Sequence, residues 1–182
     1  MSRIGRQPIP IPPNVQVQVE PTRVVVQGPK GRVEVPYGHG IQFRLEDGRL
    51  VVLRKDDSKT QKALHGLYRA LAANAVRGVT EGFSIGMEVV GTGYRVEKKG
   101  SALLFYVGYS HPVEVPIPPG IEVEFDPKNK NRFTLRGPDK YILGQYAATI
   151  RGIRPPMTYK AKGIKYVDEP WRLKPGKSAA KK

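Results

Sequence analysis

The stretch VQGPKGRVEVPYGHGI, residues 26–41, aligns without gaps with YVGYSHPVEVPIPPGI, residues 106–121. Seven of the sixteen aligned positions are identical, including the run Val-Glu-Val-Pro at 33–36 and at 113–116. Weaker matches follow each stretch, and their changing offset fits insertions and deletions in exposed loops. Chance similarity between two turn-rich strand segments is the alternative. We interpret the pattern as an internal duplication.

The first copy predicts several strands followed by one helix. Valines at 15, 17 and 19 alternate with glutamines, and Asp47-Gly48 lies between two apolar runs, which is a strong hairpin signal. Asp57 or Ser58 is placed to cap the helix, and Gly78 to end it. Helical spacing predicts that four residues face the core: Leu64, Leu67, Leu71 and Ala75.

The second copy predicts the same order of elements. Short apolar runs between residues 85 and 135 are separated by Gly, Pro and Asn, and a helix follows, with its cap near Asp139. The residues predicted to face inward are Ile142, Tyr146 and Ile150. We therefore expect an α+β protein of two similar lobes, each a small, mainly antiparallel sheet packed with one helix. The expected divisions are 1–80 for the first lobe with a basic N-terminal arm, 81–154 for the second lobe, and 155–182 for a basic C-terminal extension.

The positive charge of the chain is concentrated near its C-terminus. The formal net charge is +15, and the last 32 residues hold ten Lys and Arg but only Asp168 and Glu169 as acidic residues. Arg3 and Arg6 add two cations near the start. A basic region beside a nearly balanced body is typical of a surface that meets a polyanion.

Other classes of function lack their sequence signals. The chain has no Cys, and its three His residues show no metal-ligand spacing, so no catalytic or metal site is expected. The glycines between 86 and 93 precede a strand-like run, not a helix, which argues against a dinucleotide loop, and no cofactor is expected. Neither a signal peptide nor a membrane-spanning run is evident, so a soluble, unexported protein without membrane or small-molecule partners is expected.

The segment 151–177 alternates cations with Tyr159, Tyr166 and Trp171. Cations neutralise phosphates, and flat aromatic rings stack on exposed bases, so the segment is predicted to contact nucleic acid. It is too short to form a core and is expected to become ordered on a partner. From charge and position we predict RNA contacts by Arg154, Arg172, Lys174 and Lys177. Residues 178–182 are interpreted as a solvated tail.

The run YKAKGI at 159–164, followed by KYVDE at 165–169, resembles the C-terminal signature of the bacterial large-subunit ribosomal protein conventionally numbered six. Residues 2–10, 64–69, 78–83 and 89–95 are also similar to that family, so the resemblance covers essentially the whole chain. Met157 departs from it, because the family usually has an acidic or small polar residue there. Matching the signature residue by residue implies RNA contacts by Tyr159, Lys160, Lys162, Gly163 and Lys165, and the matching N-terminus implies Arg3 and Arg6.

The resemblance implies a non-catalytic constituent of the 50S subunit in the cytoplasm. It would bind 23S ribosomal RNA near the stalk base and the sarcin-ricin region, where translation factors dock, and neighbouring large-subunit proteins are possible partners. Two alternatives stay open: a free-standing RNA-binding regulator, which would share the charge pattern, and a small enzyme acting on an anionic substrate. The enzyme would need converging ionisable groups, which the sequence does not show.

Overall fold

The structure is a computed structural model that describes residues 3–38 and 40–176. One compact unit reaches from the N-terminal end of the described chain to Phe83 and includes Gly137–Lys140. The other comprises Ser84–Arg136 and the described residues from Tyr141 onward. The predicted limits of the lobes and of the extension stay a prediction.

The first unit has two three-stranded antiparallel sheets and one helix. The sheets have the orders β2-β3-β4 and β1-β6-β5. The elements are β1 (Ile9–Pro10), β2 (Gln16–Val19), β3 (Arg23–Gly28), β4 (Gly31–Pro36), β5 (Ile41–Glu46), β6 (Arg49–Arg54) and α1 (Lys59–Thr80).

The second unit repeats this plan and adds a strand. One sheet has the order β10-β9-β8, and the other has the order β11-β12-β7-β13. The elements are β7 (Phe83–Val90), β8 (Arg95–Lys99), β9 (Ala102–Tyr106), β10 (Val113–Pro116), β11 (Glu122–Phe125), β12 (Arg132–Gly137), α2 (Lys140–Ile153) and β13 (Gly163–Tyr166). The predicted α+β class with two similar lobes is confirmed.

Two local predictions for the first copy hold. Asp47 and Gly48 both have positive φ, 46° and 72°, which is the geometry of a tight hairpin turn, and Glu46 pairs with Arg49 across it. Ser58 caps α1, because its side chain accepts a hydrogen bond from the backbone N–H of Gln61 at 3.2 Å.

The prediction of which face of α1 points inward is wrong in part. Leu67 is 50% exposed and Leu71 is 37% exposed, whereas Leu64 is half-buried against the core and Ala75 is buried. The residues that α1 buries are mostly small, among them Ala72, Ala75, Val76 and Val79. Small side chains let the helix approach the sheets closely, so the leucine spacing did not mark the inward face.

Two further helix predictions need correction. Gly78 does not end α1, which continues to Thr80; the turn closes at Gly82, with φ of +78°, whose N–H donates to the carbonyl of Arg77. In α2, Tyr146 and Ile150 are buried as predicted, but Ile142 is 41% exposed. Leu143, one position further along the helix, takes the inward place.

Candidate nucleic-acid interface

Strand β13 fixes the basic C-terminal segment to the second unit. It pairs antiparallel with β7, with Gly163 opposite Val90 and Tyr166 opposite Met87. The N–H of Ile164, which is fully buried, also donates to the carbonyl of Arg154 at 2.7 Å. The expectation that the whole segment becomes ordered only on a partner is therefore wrong for residues 163–166, because an edge of the sheet supplies the backbone partners.

Gly163 is a packing residue in this arrangement. Its φ is +143°, a region that other residues rarely adopt, and a Cβ there would lie 2.6 Å from the carbonyl oxygen of Pro155. The residue is buried. Its role in the structure is to let β13 approach the chain that leaves α2.

Lys165 turns its charge inward. Its side chain is 11% exposed, and its Nζ lies 3.5 Å from Oε2 of Glu88 and 3.3 Å from the carbonyl oxygen of Glu169. Like Gly163, it was predicted from the family signature as an RNA contact. In the structure its ammonium group joins β13 to β7 and to the turn that follows β13.

An ion pair holds the turn after β13 against α2. Arg151 donates from Nε and Nη2 to the two carboxylate oxygens of Glu169, at 3.0 and 2.6 Å. These hydrogen bonds hold the pKa of Glu169 below its usual range. The same bonds raise the pKa of Arg151, so both groups are ionised at neutral pH.

The signature residues before β13 form an exposed turn. The N–H of Met157 donates to the carbonyl of Lys162 at 2.8 Å, and Ala161 within the turn has a positive φ of 49°. Tyr159 is 67% exposed and Lys160 is exposed, while Lys162 is half-buried. The turn therefore presents a cation and an aromatic ring to solvent.

The chain after the ion pair returns beside this turn. The N–H of Lys174 donates to the carbonyl of Thr158 at 3.0 Å, and Arg172 and Lys174 are both exposed. None of the ion pairs within residues 3–38 and 40–176 includes Lys160, Lys162, Arg172 or Lys174. Lys177 lies outside the described residues.

Arg154 follows the last residue of α2 and interacts with two tyrosines. Hydrogen bonds with Tyr109 and then Tyr94 raise its pKa, and its guanidinium carbon lies 5.2 Å from the ring centre of Tyr109. The hydroxyl of Tyr109 in turn donates to the carbonyl of Ile153 at 2.8 Å. Within the described ranges no carboxylate neutralises Arg154, so its charge is available to an anion.

Sequence reasoning missed one basic loop of the same unit. Residues 126–131 connect β11 to β12 and expose Lys128 and Lys130. Asn131 fixes this loop, since its side-chain amide donates to the carbonyl of Tyr94 at 3.0 Å and its own carbonyl accepts from the N–H of Val89 at 2.8 Å. Three cations within DPKNKNR, residues 126–132, were the available signal, but only the hydrogen bond of Asn131 places the loop beside Tyr94.

Arg3 and Arg6 lie in the first unit and are exposed. Between them Gly5 is buried against His65, whose Nδ1 would lie 2.5 Å from a Cβ at position 5. Arg6 lines a cleft of about 560 Å³ together with Arg54, Lys55 and Asp57. Arg6 is thus part of a cleft of the first unit in which Asp56 and Asp57 accompany the cations.

The part of the chain that the structure describes contains neither a cluster of metal-binding side chains nor a helix that could span a membrane. No group of three or more His, Asp or Glu side chains there could hold a metal ion. None of its helices is both long enough and apolar enough to cross a membrane.

The fold and this surface define a class of small proteins: duplicated α+β scaffolds that carry a basic, aromatic-containing face on the second copy and its C-terminal segment. The chain belongs to the ribosomal protein L6 family, whose model matches residues 11–82 and 90–167. The two matched segments correspond to the two copies found in the sequence, and the resemblance stated above is confirmed.

Three relatives are similar to this protein over the whole chain. The large ribosomal subunit protein uL6 of Caldanaerobacter subterraneus subsp. tengcongensis is 50% identical over 182 residues, which cover all of both chains. The protein of the same name from Thermus thermophilus is also 50% identical over 182 residues, with all of both chains covered. That of Gloeobacter violaceus is 46% identical over 191 aligned residues, again over the whole of both chains.

Proposed function

We propose that this protein binds 23S ribosomal RNA, near the stalk base and the sarcin-ricin region, and supports the site where translation factors dock. As a member of its family it is a structural constituent of the large ribosomal subunit in the cytoplasm, and not an enzyme. The second lobe, 81–154, and the extension, 155–182, carry the RNA contact in this proposal. The first lobe, 1–80, adds Arg3 and Arg6 and is free to meet neighbouring proteins.

The observation that supports the proposal best is the exposed, unneutralised charge beside Tyr159. Lys160, Arg172 and Lys174 are exposed and lack carboxylate partners in the described chain, and Lys162 lies in the same turn. Backbone pairing by β13 orders this surface before any RNA arrives. A preordered cationic surface loses less conformational entropy on binding than a free tail would.

The mechanism is neutralisation of phosphates, which holds ribosomal RNA helices in position. Arg154 and the exposed cations contact phosphates, and Tyr159 stacks on an exposed base. Gly163 and Lys165 contribute by holding β13, and hence the turn, in place. Lys177 extends the basic run beyond the described residues.

The test is the salt dependence of binding to a 23S fragment that contains the sarcin-ricin region. Each phosphate contact adds roughly −0.7 to −0.9 to the slope of log affinity against log salt, so Lys160→Ala with Lys162→Ala is expected to flatten the slope by about 1.4 to 1.8. The control is Lys98→Ala with Lys99→Ala, which removes the same charge from exposed positions at the far end of β8. An equal loss from both variants would show that only net charge matters.

The free-standing regulator remains the alternative, and competition separates the two functions. The proposal expects the 23S fragment to be preferred over unrelated duplex and single-stranded RNA, and the chain to sediment with large subunits after a high-salt wash. Equal binding to all RNAs, together with recovery as free monomer, would favour the regulator.

A further inference from the structure

We propose that a cleft beside β13 binds one unstacked nucleobase of the RNA, with the base stacked on Trp171. The proposal depends on the function proposed above and makes it more specific. The cleft lies wholly within the second unit, between the chain at 156–158 and the chain at 169–172. Trp171 is the only Trp of the chain.

The size of the cleft suits a group of this kind. Its volume is about 390 Å³, at the lower end of the roughly 300–1,000 Å³ that small-ligand sites occupy. Pro156, Met157, Pro170 and Trp171 supply apolar walls. Trp171 is half-buried and Met157 is 37% exposed, so apolar surface in the cleft remains open to solvent.

The floor of the cleft is balanced in charge. Arg151 and Lys165 line it, but Arg151 is bound to both carboxylate oxygens of Glu169, and Lys165 lies beside Glu88. Two cations thus face two carboxylates. A phosphate placed there would gain little attraction and would meet Glu169, whereas a neutral base with donors and acceptors on its edge suffers no such repulsion.

The rim of the cleft has the opposite character. Arg172 lines the cleft, is exposed, and has no ion-pair partner in the described chain, and Lys174 follows two residues later. An interior of balanced charge beside a cationic rim matches a nucleotide, whose base is neutral and whose phosphate is anionic. This separation of charge favours RNA over an apolar peptide as the occupant.

The experiment uses the full-length protein and the same 23S fragment. Stacking of a base on the indole is expected to quench the fluorescence of Trp171 upon binding. Trp171→Ala is expected to lower RNA affinity by about 5- to 150-fold, the range for loss of one base–aromatic stack, without changing the salt slope. Trp171→Phe, which keeps a flat ring, is expected to recover most of the affinity.

Two variants of neighbouring residues serve as controls. Arg172→Ala is expected to flatten the salt slope by about one, because it removes a phosphate contact and leaves the stack. Leu173→Ala removes an exposed apolar side chain that is not part of the cleft lining, and it is expected to bind like wild type.

The outcomes separate this inference from the function on which it depends. Salt-dependent binding by wild type, with unchanged Trp171 fluorescence and full affinity of Trp171→Ala, would overturn the nucleobase site and leave the RNA-binding function standing. If a neighbouring subunit protein, but not RNA, quenched the fluorescence of Trp171, the occupant of the cleft would be a peptide, and the nucleobase site would again be overturned. Absence of salt-dependent RNA binding by wild type would overturn both.

Discussion

The two units protect corresponding sheet edges in different ways. Strand β1 in the first unit and β7 in the second both flank the last strand before the helix, β6 and β12 respectively. Strand β1 has two residues, and prolines at 8, 10, 12 and 13 surround Ile9, which removes backbone donors from that edge. Strand β7 has eight residues, and β13 covers it. In this duplicated scaffold, the basic C-terminal segment therefore adds a strand only at the unit whose sheet edge is long and rich in backbone donors.

The largest effect on stability is expected from a substitution that weakens the pairing of β13 with β7. In Gly163→Val the side chain meets backbone atoms of Pro155 and Pro156 at less than 3 Å and takes an unfavourable φ, so the second unit should lose about 2–4 kcal/mol of stability. Denaturation followed by Trp171 fluorescence measures it. Gly176→Ala is the control, because nothing lies within 4 Å of its Cβ. Unchanged stability and unchanged amide protection at 164–166 would contradict the assigned role of Gly163.

A matched pair of core truncations tests whether the two copies are equivalent. Val35 in β4 and Val115 in β10 occupy aligned positions and are both buried. Each change to Ala should cost about 1–3 kcal/mol, through lost burial and a small cavity. Circular dichroism follows both units, and Trp171 fluorescence follows the second. If only one of the two truncations destabilised its unit, the copies would differ in packing despite their alignment.

The smallest effect is expected from the ion pair between Arg151 and Glu169, which holds the turn after β13 against α2. Glu169→Gln breaks the paired hydrogen bonds with Arg151, and since both side chains are partly exposed the cost should be about 0.5–1 kcal/mol. Because the pKa of Glu169 is lowered in the folded state, its contribution is present above the ordinary Glu pKa, roughly 4.3, and is lost as the pH falls through the lowered value. The difference between wild type and Glu169→Gln should therefore shrink in acid.

Its control is Glu124→Gln, which removes the partner of Arg136 in an exposed pair. Denaturant midpoints of both variants from pH 7 to pH 3 measure the effect. If the difference in denaturant midpoint between wild type and Glu169→Gln did not depend on pH, the carboxylate charge would not be what stabilises the turn.

Features that depend on local chemistry were predictable from the sequence. The hairpin at Asp47-Gly48 requires two residues that tolerate positive φ, and the cap at Ser58 requires one side-chain oxygen. The alignment of 26–41 with 106–121 predicted the repeated plan without any tertiary information. The inward face of α1 was predicted only in part, because small residues such as Ala72 and Val76, and not Leu67 or Leu71, pack against the sheets.

The candidate interface was predictable only in composition. Charge and aromatic content marked the segment around Tyr159 and Lys160, which the structure leaves exposed. The inward direction of Lys165 follows from its pairing with Glu88 across two strands distant in sequence. The loop with Lys128 and Lys130 is likewise held by long-range hydrogen bonds, those of Asn131 with Tyr94 and Val89, which no local pattern predicts.

The late position of β13 in the chain has a consequence for biosynthesis. Strand β7 leaves the translating ribosome well before β13 has been made, so a nascent chain carries an open edge on which another polypeptide could add a strand. Once β13 has been synthesised, it pairs with β7 and covers that edge, and the same pairing fixes the cationic turn at the surface. Prematurely terminated chains would thus be prone to aggregation and unable to join the ribosomal subunit. Chaperones and proteases would be expected to act on them.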